Sequence, residues 1–293
     1  MKAFSNVHPI VLMAYFLSVL TITMFITNPI IELIALSGSI LFCVMLTSRK
    51  EKREDLKFYL PLMFLITITN PLFSHNGQTP LFFMNGNAVT LQAIVYGVAI
   101  AVMVVAVMLW CKSYSHIITS DKFIYLFGRV IPKLSLVLSM ALRYVPMLKR
   151  QSHKVNKAQK AMGLYTSKSY SDRVRSALRV FSVLIGWSLE NAVETGKSMK
   201  ARGYGLKGRT NYSNFQFKKS DAMLMGVNIV LLVLTATGII SGRLDFAYYP
   251  KITQLQFSIV SIISYLSFAL LAYLPFFIEV EEVVRWKYYR SKI

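Results

Sequence analysis

Ala201-Arg202-Gly203 is the group of residues in this chain best suited to act on another molecule. A glycine after a helical run can take the left-handed conformation that ends a helix. The arginine before it then stands as a fixed cation carrying a planar fork of donors. Such a tip grips a carboxylate or a phosphate; it breaks no bonds. Catalytic groupings are not legible elsewhere. His8, His75, His116 and His153 lie in four separate segments without ligand spacing. Cys43 and Cys111 suggest neither a disulfide framework nor a zinc pattern and read as filler side chains. Gly203 to Thr210 comes within one residue of a phosphate-binding loop, with Arg209 where lysine belongs. A true phosphate loop follows a strand and opens a helix; this segment follows a helix and enters a polar-aromatic connector, Asn211–Phe217. No Ser/His/Asp or Cys/His arrangement marks a nucleophile. We therefore expect no catalytic residue, no metal ligands and no cofactor held by the chain itself.

The elements that must position the tip are read from hydropathy. With 55% hydrophobic residues and a mean hydropathy of +0.49, the chain is not an ordinary soluble domain. Apolar runs of spanning length are expected near Ile10–Ile26, Ile30–Thr47, Phe58–Phe73, Val89–Cys111, Ala222–Ile240 and Leu255–Ile278. The first is too long and too apolar at its flanks for a cleaved signal peptide. Asn28-Pro29 breaks the chain between the first two. The net charge of +20 matters because of where it lies. Of the 33 Lys and Arg, only Arg243 and Lys251 fall in the two longer loops on one side of the membrane, Ser74–Ala88 and Ser241–Gln254. The positive-inside rule puts both termini and the basic central segment in the cytosol of a multi-pass cell-membrane protein. Glu32 is the one acid within a span and stands near its outer end, with two readings: a functional intramembrane group or a side chain that reaches interfacial water. Three domains follow: 1–111 with four spans, 112–220 as a cytosolic domain, and 221–293 with two spans and a tail.

Within 112–220 two long helices are expected. The first starts at Pro132, a favoured first-turn residue, and runs to Met162, with Gly163 as its stop. Met147, Val155, Ala158 and Met162 share one stripe, and Arg150, Lys154 and Lys157 share another. Pro146 should kink it. After a polar hinge, Leu164 to Ser171, Asp172 supplies an N-cap for a second helix reaching Arg202. Each is about 45 Å long. The second carries Val174, Leu178, Phe181, Leu184, Ile185 and Leu189, with Ser182 and Gly186, then Ala192 and Gly196, four residues apart. Small residues at that spacing let two helices cross closely, so these positions are expected at a crossing. Glu190 and Glu194, with Lys197, read as an intrahelical pairing.

These features, taken together, resemble the transmembrane T component of energy-coupling factor transporters, the EcfT/CbiQ family. Three stretches carry the resemblance, over about residues 60 to 210. The first is the Ala201-Arg202-Gly203 tip in its setting between membrane blocks. The second is Asn70-Pro71-Leu72-Phe73, Gly77, Leu81-Phe82, Gly86-Asn87, Thr90-Leu91-Gln92-Ala93 and Tyr96-Gly97, similar to the family's NPLF…G…LF…GN..TLEA..YG pattern. Gln92 stands there where many relatives carry Glu. The third is Ala141-Leu142-Arg143-Tyr144-Val145-Pro146. The resemblance implies an all-α membrane bundle of about six spans with two long crossing coupling helices. Their Ala-Arg-Gly ends would dock into cytosolic ATPases, which bind the ATP. It also implies a small membrane substrate-binding S subunit that captures a vitamin or metal ion and is contacted around Ser182, Gly186, Leu189, Ala192 and Gly196. The first tip departs from the pattern: Ala161-Met162-Gly163 has methionine in place of arginine. Methionine can pack into a groove but makes no ion pair or forked hydrogen bond. Unequal tips imply two non-identical or fused ATPases. No nucleic-acid partner is implied.

Three other readings fit the residues less well. A basic helical hairpin lying on anionic lipid would not require two glycine-ended tips. An integral-membrane transferase or lipid-binding protein, using the basic loop to hold lipid or polyprenyl phosphate, would need acidic metal-binding or His/Asp clusters. A stand-alone channel or carrier would need polar residues inside the spans, which apart from Glu32 are almost bare.

Overall fold

A computed structural model describes residues 3–74, 77–84, 87–163, 170–206 and 215–291. His75, Gly86, the hinge residues 164–169, the near-phosphate-loop positions Gly208, Arg209 and Thr210, and connector residues 211–214 lie outside the described residues. The chain divides into two compact units, Met1–Lys122 with Phe215–Ile293, and Phe123–Asn214.

The first unit is a helical bundle. It contains α1 (Pro9–Phe25), α2 (Pro29–Leu46), α3 (Arg49–Phe73), α4 (Leu91–Ile117), α8 (Lys219–Ile240) and α9 (Ile259–Arg290). These six apolar helices stand where the six spans were expected. α1 has 17 residues, and the other five are at least 18 long and apolar enough to cross a membrane. Side-chain caps set their starts. His8 accepts the Ile10 N–H and Asn28 accepts the Ile30 N–H, each followed by proline at the first helical position. Ser48 and Glu51 form a reciprocal capping box on α3. Thr90 accepts the Ala93 N–H at the start of α4.

The core is aromatic. Trp110, Tyr15, Phe16, Phe42 and Phe268 are fully buried, and Phe4 meets Tyr15 edge-on at 5.3 Å. Their polar handles are satisfied: Trp110 Nε1 donates to the Ala35 carbonyl at 3.2 Å and Tyr15 Oη to the Leu271 carbonyl at 3.0 Å. Helices approach where side chains are small. A Cβ on Gly97 would lie 2.8 Å from the Thr67 carbonyl, so α3 and α4 pack at a distance only glycine permits.

Several expectations needed correction. Val89 belongs not to α4 but to β2 (Asn87–Thr90), which pairs antiparallel with β1 (Pro80–Met84) in a small hairpin before the helix. The charged residues from Arg49 onward are helical too, because the capping box starts α3 before the apolar run begins. The last helix begins at Ile259 rather than Leu255 and continues through the charged tail, where Arg285 pairs with Glu281 one turn earlier. Glu32 does not reach the surface; it is buried.

The second unit holds most of α5 (Ser120–Val130), then α6 (Pro132–Ala161) and α7 (Tyr170–Ala201). α5 had no counterpart in the sequence reading. Ser135 Oγ donates to the Ile124 carbonyl at 3.1 Å and fixes the α5–α6 corner. α6 runs unbroken through Pro146. Asp172 is not the N-cap of α7: the helix starts two residues earlier and Asp172 sits in its first turn, where an acid favours the helix dipole.

Candidate functional site

The two helix ends have the geometry that the glycines predict. At the end of α7, Gly203 adopts φ +79°. The Gly203 N–H donates to the Lys200 carbonyl at 3.0 Å, and the Tyr204 N–H reaches back to the Met199 carbonyl at 3.0 Å. This crossed pair is the Schellman arrangement, and it satisfies the carbonyls that a helix end leaves open. Gly205, at φ +98°, turns the chain again. At the end of α6, Gly163 has φ +76° and its N–H donates to the Lys160 carbonyl at 3.1 Å. Ala201, Arg202, Ala161, Met162 and Gly163 are exposed, and Gly203 is half-buried. Arg202 forms no ion pair among the described residues, so the whole guanidinium fork is open. Met162 is 68% exposed, an apolar side chain on a tip that otherwise matches its counterpart.

The expected crossing through small residues does not occur. Ser182, Gly186, Leu189, Ala192 and Gly196 are all exposed, and a Cβ added to Gly186 or Gly196 would meet nothing within 4 Å. α6 and α7 instead meet through polar groups: Tyr144 Oη bonds Thr195 Oγ1 at 2.8 Å and the Asn191 carbonyl at 3.4 Å. Ser176 and Val180 are the buried residues on that face of α7, with Trp187, Asn191 and Thr195 half-buried. At about 100° per residue, Val174, Leu178, Phe181, Ile185 and Leu189 form a stripe on another face, and all five are exposed. Ser182 and Gly186 flank this stripe, and Ala192 and Gly196 continue it. Along this face α7 is apolar and uncovered among the described residues. Among the described residues Glu190, Glu194 and Lys197 form no ion pair within 4.0 Å, and all three are exposed.

The loop motif proves to be scaffold. Asn70 Nδ2 donates to the Ala93 carbonyl at 2.8 Å. Gln92 Oε1 accepts from Thr79 Oγ1 at 2.7 Å and pins the segment before β1. A glutamate there would accept the same bond. Gly77, at φ +142°, lies against Thr90 and Gln92 with no room for a Cβ.

A cluster that sequence reasoning missed lies at the basic end of the first unit. The N-terminal turn Phe4–Asn6 and His8 are gripped by residues remote in sequence. The Phe4 N–H donates to Glu279 at 3.2 Å and the His8 N–H to Asp221 at 3.1 Å. Lys122 Nζ donates to the Ser5 carbonyl, to Ser5 Oγ at 3.2 Å and to the Ile117 carbonyl at 3.0 Å. The His8 ring stands edge-on to Phe217 at 5.1 Å. Lys122 and Phe217 adjoin the two points where the chain leaves the first unit and returns to it. The only signal in the sequence was a few ionisable residues next to span ends, with nothing to pair them. Among the described residues no three His, Cys, Asp or Glu side chains are grouped to hold a metal ion.

Fold and site define a class: a polytopic helical membrane protein that presents two long basic helices with glycine-terminated, exposed tips. The profile of the family described as Cobalt transport protein (CbiQ) matches residues 3–212, and the chain belongs to that family. The match takes in the first two spans, which the sequence motifs alone did not reach. Among proteins named energy-coupling factor transporter transmembrane protein EcfT, that of Brevibacillus brevis is 27% identical over 224 residues, covering 72% of this chain and 84% of the relative. The Staphylococcus aureus protein is 25% identical over 202 residues, 63% and 75% respectively. That of Listeria innocua is 35% identical over 97 residues, or 32% of this chain, and the aligned part spans just 37% of that relative.

Proposed function

We propose that this chain is the energy-coupling transmembrane subunit of an energy-coupling-factor importer, without catalytic activity of its own. Two cytosolic ATPases, non-identical or fused, bind and hydrolyse ATP and move α6 and α7. Those helices carry the motion to a small membrane S subunit that captures a vitamin or a metal ion. The termini and the basic helices face the cytosol, a direction that the charge distribution supports. The observation that carries this reading is that α7 alone offers two unlike contact surfaces. Its tip is an open cation, Arg202, and its flank is an apolar stripe from Val174 to Leu189. One helix equipped for an acidic soluble partner and for a greasy membrane partner is what transmission between them demands.

Arg202→Glu tests it. A charge pair lost from a desolvated interface costs about 2–5 kcal/mol, hence at least about thirtyfold in affinity. The variant should reach the membrane normally, release the ATPases on purification and lose uptake. Unchanged complex yield and uptake would refute the assignment of Arg202.

A further inference from the structure

A cleft among the helices of the first unit has the form of a binding surface. α4 lies between α2 and α3, and the two outer helices leave a cleft of about 230 Å³ above it. Val105 and Leu109 form its floor; Ile40 and Val44 on one wall and Leu60 and Met63 on the other are apolar. Ile40, Val44 and Leu60 are exposed, so the cleft opens sideways to the bilayer. It follows α2 from Leu36 to Thr47, about 16 Å at the helical rise, close to the hydrocarbon depth of one leaflet, about 15 Å.

The mouth lies at the basic end. Lys52, Asp55 and Thr47 line it. Asp55 is paired with Lys112, and Glu51 turns its carboxylate back to the Ser48 N–H at 2.9 Å. Lys52 is half-buried over the cleft and makes no ion pair among the described residues. Arg49, Lys50, Arg53 and Lys57 share its two helical turns, and Glu54 is the one acid there besides Asp55 and Glu51. The mouth is therefore an uncompensated cation above an apolar slot. Basic pockets between spanning helices at this level suit anionic headgroups.

We propose that this cleft holds one anionic phospholipid, its acyl chain on Val105 and Leu109 and its phosphate against Lys52. The width of the cleft decides between occupants: about 230 Å³ spread along about 16 Å leaves a slot roughly 4 Å across, the width of one acyl chain and well under that of a helix, about 10 Å. The charge decides between headgroups, since a zwitterionic lipid would bring a second cation to Lys52.

The test is native mass spectrometry of the full chain through stepwise delipidation, with phosphatidylglycerol and phosphatidylcholine of identical acyl chains as probes. The wild type should retain one phosphatidylglycerol about fivefold more strongly than phosphatidylcholine, the effect of one basic residue at the surface. Lys52→Gln should abolish that preference, and Lys52→Arg should keep it. Arg53→Gln removes a neighbouring charge that does not line the cleft and should change nothing. Leu60→Trp should displace both lipids. Should that variant fail to fold, a phosphatidylglycerol with a photoreactive acyl chain should label wild-type peptides from 36–63 and 105–109. Four results would overturn the proposal: no headgroup preference in the wild type, equal losses in Arg53→Gln and Lys52→Gln, competition by the deacylated headgroup as effective as that by the intact lipid, or displacement of the label by a co-purified membrane protein.

Discussion

At the scale of single residues, Arg202 and Gly203 work as a pair. The arginine supplies the charge, and the glycine, at φ +79°, ends the helix directly after it. Valine at this φ is strained, by about 1–2 kcal/mol for the left-handed backbone alone, and at Gly203 an added Cβ would also press on Leu206 at 3.0 Å. Asparagine tolerates the same backbone. Gly203→Val should therefore lower ATPase retention and uptake, Gly203→Asn should largely preserve them, and Gly163→Val, with no neighbour within 4 Å, should fall between. Equal behaviour of the valine and asparagine variants at Gly203, measured as ATPase co-purification, would show that positive φ is irrelevant there. The tip was legible in the sequence because helix termination by glycine is a local rule, fixed within a few residues. The role of Gln92 was not, since its partner Thr79 lies across a hairpin that the apolar pattern had concealed.

At the scale of elements, the stripe on α7 and the clasp around the N-terminus make separate predictions. Phe181 and Leu178 are 61% and 62% exposed, so Phe181→Glu or Leu178→Glu has little to break within the chain. If the stripe seats the S subunit, either change should release that subunit at a cost of about 2 kcal/mol or more, as central contacts do, and leave the ATPases bound. Retention of the S subunit in both variants, measured by co-purification, would detach the stripe from this role. Lys122 concerns the fold. Its ammonium is buried with three oxygen acceptors, and a hydrogen-bonded charge of this kind contributes about 2 kcal/mol. Lys122→Met should lower the melting temperature by about 5 °C; no shift would mean that the N-terminal turn is held by its apolar contacts alone. Here the sequence revealed periodicity but not facing. Ser182, Gly186, Ala192 and Gly196 have the spacing of a close crossing, yet Tyr144, Asn191 and Thr195 make the contact, because a hydrogen-bonded polar seam can satisfy two amphipathic helices as well as small residues can. Glu279, Asp221 and Lys122 meet residues between 117 and 275 positions away, a distance no local pattern reports.

At the scale of the whole molecule, the six apolar helices were readable directly, since the hydrocarbon thickness sets their length; their direction is what the positive-inside rule predicts from the charge. The partners are the open matter, and the unequal tips make a claim about them. Two identical acidic sockets would leave one carboxylate facing Met162, and burying it unpaired costs several kcal/mol or forces it to take up a proton. The sockets should differ, and Arg202→Ala should damage coupling far more than Met162→Ala. The central claim, that this chain links ATPases to a substrate-binding membrane protein, is tested most directly by unbiased mass spectrometry of the complex purified from its native membrane through a tag on this chain. We expect two distinct ATPase sequences, or one tandem ATPase with diverged halves, together with one small hydrophobic membrane protein. Recovery of the chain alone would contradict the claim, and recovery with two copies of a single ATPase would contradict the asymmetry built on Met162.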